Sequence, residues 1–121
     1  MPPNFPESDW KTLSRLKPSA LERLCQRILR EAGSIIAHTR EDGSHRVYLD
    51  LYHHIQRSDK VVSDCFDKWS RSHALDILTN WRAENLLTEE EFSAFSAETC
   101  RMVEWFLKRE NGDVLAVVEA K

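Results

Sequence analysis

Beyond its first six residues the chain contains one proline, Pro18, and three glycines, Gly33, Gly43 and Gly112. The other prolines, Pro2, Pro3 and Pro6, are crowded at the start. Proline and glycine are the strongest punctuators of local structure, so so long a stretch almost without them argues against many short strands and tight turns. It has to form a few long elements, and the apolar residues recur at three and four, the spacing of one helix face.

The pattern divides as follows. Residues 1–7 read as a flexible arm, and a short helix through "DWKTLSRL" carries Trp10, Leu13 and Leu16 on one side. A second helix, 18–38, opens with Pro18 at a first helical position. Ser19 and Glu22 there form an S-x-x-E capping sequence. Leu21, Leu24, Cys25, Ile28, Leu29, Ala32, Ile35 and Ile36 give it a continuous apolar stripe, and "TREDGSH" makes the loop that follows.

Tyr48, Ile55, Val62 and Trp69 then repeat at seven, with Leu51, Ser58 and Cys65 as a second row. This heptad phase predicts one helix near 44–69, about 39 Å long. A break at Ser58, with Ser-Asp capping a second helix, is the alternative. Ser72 can cap the next helix, whose inner face holds Ala74, Ile77, Leu78 and Trp81. "LTEEEF" is the strongest local signal: Thr88 and Glu91 stand at capping-box positions and Leu87 and Phe92 at staple positions. Ser96 offers a further cap, and the last stripe, Cys100, Val103, Phe106 and Leu107, is expected to end near Asn111-Gly112. The tail, 113–121, is ambiguous. The fold class is therefore all-α: a single-domain irregular bundle of five or six helices over 8–112, with helix 18–38 antiparallel to helix 44–69.

At 121 residues, 41% hydrophobic and 31% charged, the chain is a single globular domain able to bury a core without disulfides or metals. Cys25, Cys65 and Cys100 are odd in number and have no paired ligand spacing. They read as reduced thiols, which points to the cytoplasm. "MPPNFPESDW" lacks the basic and apolar regions of a signal peptide, and no window suits a membrane span.

Residues 83–95, "AENLLTEEEFSAF", resemble the helical hairpin of SHOCT domains, a short module of bacterial proteins. That pattern runs Gly-hydrophobic-Ile-Thr-Glu-Glu-Glu-Phe. Here Asn85 replaces the glycine, Leu86 to Phe92 follow, and Phe95 and Ser96 stand where a lysine is usual. As a whole the chain is similar to small all-helical bacterial proteins of no assigned function. Neither resemblance implies a catalytic residue.

The paired histidines of "RVYLDLYHHIQRSDK" raise the question of a metal site. Adjacent residues on a helix diverge by 100°, so His53 and His54 make poor joint ligands. Asp50 lies one turn before both and can reach either, which makes Asp50, His53 and His54 the candidate metal set. A di-iron bundle needs more E-x-x-H partners than the chain contains. "REDGSH" fails the calcium-loop pattern, because the ends of that loop would be His38 and Leu49. There is no nucleophile elbow and no phosphate-binding glycine loop. The reading leans against an enzyme, names no catalytic residue, and requires no cofactor.

Net charge is −3, with +2 on residues 1–60 and −5 on 61–121. No overall basic field seeks nucleic acid. Arg23, Arg27 and Arg30 do form a basic helix face that phosphates could meet. The aromatic content, four Trp, five Phe and two Tyr, points to protein contacts, where Trp and Tyr are enriched. The function read from sequence is thus a non-enzymatic module that binds a protein partner or itself. Its interface candidates are Trp69, Trp81, Trp105, Arg23, Arg27 and Arg30. Nucleic-acid association through the arginine face, or a metal enzyme around Asp50 and His54, are the alternatives.

Overall fold

The computed structural model describes the backbone over residues 5–119 and the side chains over 5–109. Six α-helices follow in order: α1 (Glu7–Ala37), α2 (Thr39–Asp42), α3 (Ser44–Val62), α4 (Ala74–Ala83), α5 (Glu89–Ser93) and α6 (Ala97–Glu119). No strand occurs among the described residues, so the chain is all-α.

The two helices expected before residue 38 are one. α1 runs straight through Pro18 for 31 residues, about 46 Å. An internal proline removes one backbone hydrogen bond and crowds the preceding turn, at a cost of about 3 kcal/mol. The apolar stripe offsets this by continuing on both sides of it. Leu13 and Leu16 before the proline, and Ala20 and Leu24 after it, are buried in one core. The Ser19–Glu22 capping sequence is bypassed. Of the arm expected over 1–7, residues 1–4 lie outside the described residues; Phe5 is buried against the core and Trp10 N–H bonds the Pro6 carbonyl at 2.9 Å.

α1 turns back through α2 into α3, and the two long helices form an antiparallel hairpin. Gly43, at φ 88°, makes the turn in a conformation that side-chain-bearing residues avoid. α3 does not break at Ser58. It continues into a π-helical turn, Ser63–Asp67, so the helical run ends just before Trp69 rather than including it. Trp69 instead folds back against the core, partly buried.

The phase of α3 also differs from the heptad reading. The inward row is Val47, Leu51, His54, Ser58, Val61 and Cys65, whereas Tyr48 and Ile55 are 63% and 46% exposed. Leu51, Ser58 and Cys65 face inward as expected. Tyr48 and Ile55 belong to a second, outward row.

The remaining helices close over the N-terminal half of α1. α4 ends in a Schellman motif: Leu86 N–H bonds the Trp81 carbonyl at 2.9 Å and Asn85 N–H the Arg82 carbonyl at 3.1 Å. Asn85 supplies the left-handed residue at φ 63°. α5 has the expected capping box, with Glu91 N–H on Thr88 Oγ1 at 3.1 Å and Thr88 N–H on Glu91 Oε1 at 2.9 Å. Leu87 and Phe92 are both buried beside it. α6 does not stop at Asn111-Gly112 but runs on to Glu119, so most of the ambiguous tail is helical.

Candidate functional site: the exposed face of the helical hairpin

The tryptophans divide. Trp81 is wholly buried at the centre of the core, and its indole N–H donates to the Cys65 carbonyl at 2.9 Å. Asn80 Nδ2 donates in the same way to the Asp64 carbonyl at 3.1 Å. α4 thereby satisfies two carbonyls at the end of α3 that a helix terminus leaves unpaired. Trp81 stacks at 6.0 Å on Trp69, which lies 5.3 Å from Trp10 and carries the Lys17 ammonium over its ring at 4.1 Å. Trp81, wholly buried, is therefore a packing residue rather than a surface one, and Trp69 packs partly buried against the same core. Trp105, 54% exposed and edge-on to Phe106 at 5.0 Å, remains on the surface.

The arginine face is largely consumed inside the molecule. Arg23 donates from Nη1 to Glu91 Oε1 at 2.5 Å and to the Leu86 carbonyl at 2.8 Å. Its guanidinium holds the Glu91 carboxyl below the usual glutamate range, and that bond in turn raises Arg23. Arg27 donates to Glu84 Oε1 at 2.6 Å and to the Glu84 carbonyl at 2.7 Å. The two arginines fasten α1 to the α4–α5 connection, each neutralised by a carboxylate. Arg30 alone of the three stays exposed without a protein partner among the described residues. Three arginines spaced around a helix predict a common face but not which acids the fold brings to it. Glu84 and Glu91 lie 57 and 68 residues away in the chain.

The candidate metal set is not brought together. Asp50 pairs with Arg46 at 3.2 Å, His53 is exposed, and His54 turns into the hairpin. His54 is 7% exposed and bonds the Ile28 carbonyl through Nε2 at 3.0 Å. The expected Asp50–His54 pair gives way because the inward row of α3 passes through His54. No group of three or more metal-ligating side chains occurs among the described residues. His54 also lines an open groove of about 470 Å³ between α1 and α3, beside Arg27, Glu31 and Arg57.

Asp9 was not singled out in sequence. It is 2% exposed, and its carboxylate accepts from Ser96 N–H at 2.8 Å, Ser96 Oγ at 2.7 Å and Thr99 Oγ1 at 2.6 Å. These groups are at the start of α6, where an anion is favoured by the helix dipole. Ser96 caps that helix as expected, with Thr99 N–H on its hydroxyl at 3.3 Å. The only sequence hint at Asp9 is an acid one residue before Trp10 in a helix's first turn, which ordinarily means a solvated N-terminus. Cys65, buried under α4, has its thiol pushed up to about 12 by desolvation, and burial raises Cys100 as well. Neither is an activated nucleophile.

What is left open is one side of the hairpin. Tyr48, Tyr52 and Ile55 of α3 are 63%, 51% and 46% exposed, and Leu29 and Ile36 of α1 are 69% and 53% exposed. At 100° per residue the tyrosines and Ile55 sit roughly 80–140° round α3 from its inward row, and Leu29 and Ile36 roughly 100° round α1 from its own. Rotation in the same sense on two antiparallel helices leads to the same side. The five residues therefore form one apolar face, on the side of the hairpin away from the His54 groove.

No helix among the described residues is long and apolar enough to cross a membrane. No family model, no curated protein and no solved structure matches the chain.

Proposed function

We propose that this chain is a non-enzymatic helical binding module that docks a protein on the α1–α3 face. The observation that carries the reading is the face itself: five large apolar side chains, each about half exposed or more, on two helices packed against each other. Single exposed apolar residues are ordinary, whereas a contiguous group on one side of a molecule marks an interaction surface. Tyrosine suits such a surface because it offers large area with few rotatable bonds and a polar tip.

Nucleic-acid association draws less support from the same geometry, because Arg23 and Arg27 already have carboxylate partners. The test is site-specific photocrosslinking in the native host, with a crosslinking phenylalanine analogue at Tyr52 and, as control, at Arg30. A defined protein adduct from position 52 that disappears on Ile55→Asp is expected. Identical adduct patterns from both positions would refute the reading.

A further inference from the structure

We infer that the occupant of the α1–α3 face is a second copy of this chain, paired through two antiparallel α3 helices about a twofold axis at Tyr52. The inference rests on the binding-module reading and names its partner.

The outward row of α3 is a second helical seam. His45, Tyr48, Tyr52, Ile55 and Asp59 follow one another at three, four, three and four residues, the spacing of a and d positions in a coiled coil. All of them are exposed. The inward row, Val47, Leu51, His54, Ser58 and Val61, repeats at four and three and is covered by α1. One helix thus carries two seams, one occupied within the chain and one bare.

The bare seam is complementary to itself. His45 and Asp59 stand seven residues to either side of Tyr52. An antiparallel pair centred on Tyr52 sets His45 of one copy against Asp59 of the other, and the symmetry repeats the contact at the far end. Tyr52 meets its own equivalent on the axis, and Tyr48 meets Gln56, whose amide already reaches the Tyr52 hydroxyl within the chain at 3.0 Å. A twofold interface requires one patch to match its own rotated image, and this distribution of polar and apolar groups does so.

The apolar part of the seam is Tyr48, Tyr52 and Ile55, each about half exposed or more, with His45, Gln56 and Asp59 as its polar rim; a standard interface buries about 800 Å² per partner. Leu29 and Ile36 lie on α1, outside the α3 seam.

Sedimentation equilibrium of untagged protein, from low micromolar to several hundred micromolar, tests the pairing. A monomer–dimer equilibrium is expected in the wild type. Tyr52→Asp and the milder Tyr52→Ser should each weaken it at least about tenfold while leaving the helical circular dichroism unchanged. His45→Asp should weaken it too, and the double exchange His45→Asp with Asp59→His should restore it. Trp105→Asp, on the separate α6 surface, should leave it intact. A wild type that stays monomeric at the highest concentration overturns the pairing, while a specific adduct at Tyr52 would still stand for a different protein partner. A dimer that survives Tyr52→Asp but is lost with Trp105→Asp also overturns it, placing self-contact on α6.

Discussion

The two ends of α1 live in different surroundings. Its N-terminal half is enclosed by Trp69, by α4 and by the start of α6, and no buried side-chain nitrogen or oxygen among the described residues lacks a hydrogen-bond partner. Asp9 holds three donors, and Trp81 reaches a backbone carbonyl. Past Arg27, which still reaches the α4–α5 connection, α1 packs only on α2 and α3, and the apolar residues Leu29 and Ile36 face outward. The same amphipathic helix thus ends one way in a closed core and the other way with part of its apolar stripe bare.

The contrast can be broken by substitutions that trade the two halves. Trp81→Ala, at the centre of the closed half, should cost about 3–5 kcal/mol in urea unfolding, because it empties a wholly buried site and strands the Cys65 carbonyl. A loss below 1 kcal/mol would mean the closed half is not the stability centre. Asp9→Ala should cost about 2 kcal/mol, since it leaves the Ser96 amide and two hydroxyls without their acceptor. Asp9→Asn, able to accept some of these bonds, should recover part of the loss.

The effect of Glu91 is smaller and depends on pH. Its carboxyl titrates below the usual glutamate range in the folded protein, because Arg23 donates to the charged form. The folded state thus binds this proton less readily than the unfolded chain. The stabilisation is complete above the ordinary glutamate range and is lost as pH falls through the lowered value. Since the pair is partly solvent-exposed, Glu91→Gln should cost about 1 kcal/mol or less at neutral pH. The gap to wild type should close as the solution is acidified below the ordinary glutamate range. A gap that stays constant between pH 7 and pH 3 would show that the ion pair contributes no stability.

Smallest of all should be Tyr48→Ser, on the bare half. Measured at concentrations where the chain is monomeric, it should shift stability by no more than about 0.5 kcal/mol. A loss comparable to that of Trp81→Ala would show that the face is covered within the chain.

How much of this was legible in the sequence depended on the range of the interaction. The caps at Thr88 and Ser96 involve residues within three positions of one another, and "LTEEEF" displays them directly. The all-α class follows from the scarcity of breakers. Pro18 misled because proline favours a helix start locally, and only the buried residues on both sides of it carry the helix through. The phase of α3 was ambiguous because the helix has two apolar rows, offset by roughly 100°. Tyr48 and Ile55 are more hydrophobic than the inward His54 and Ser58, so sequence ranks the bare row first. The partners of Arg23, Arg27 and Asp9 are 57 to 90 residues away, and no local pattern names them.

The tryptophan row also has an optical consequence. Trp69 and Trp81 lie with ring centres 6.0 Å apart and planes 24° from parallel, close enough for their indole transitions to couple. Such coupling adds bands to the ultraviolet circular dichroism that overlap the helical signal, so the Trp81→Ala spectrum will change even where every helix persists. Trp105, more than half exposed on α6, sits in a wetter environment than the wholly buried Trp81. The intrinsic fluorescence therefore contains two separable reporters, one of the packed interior and one of the surface of α6.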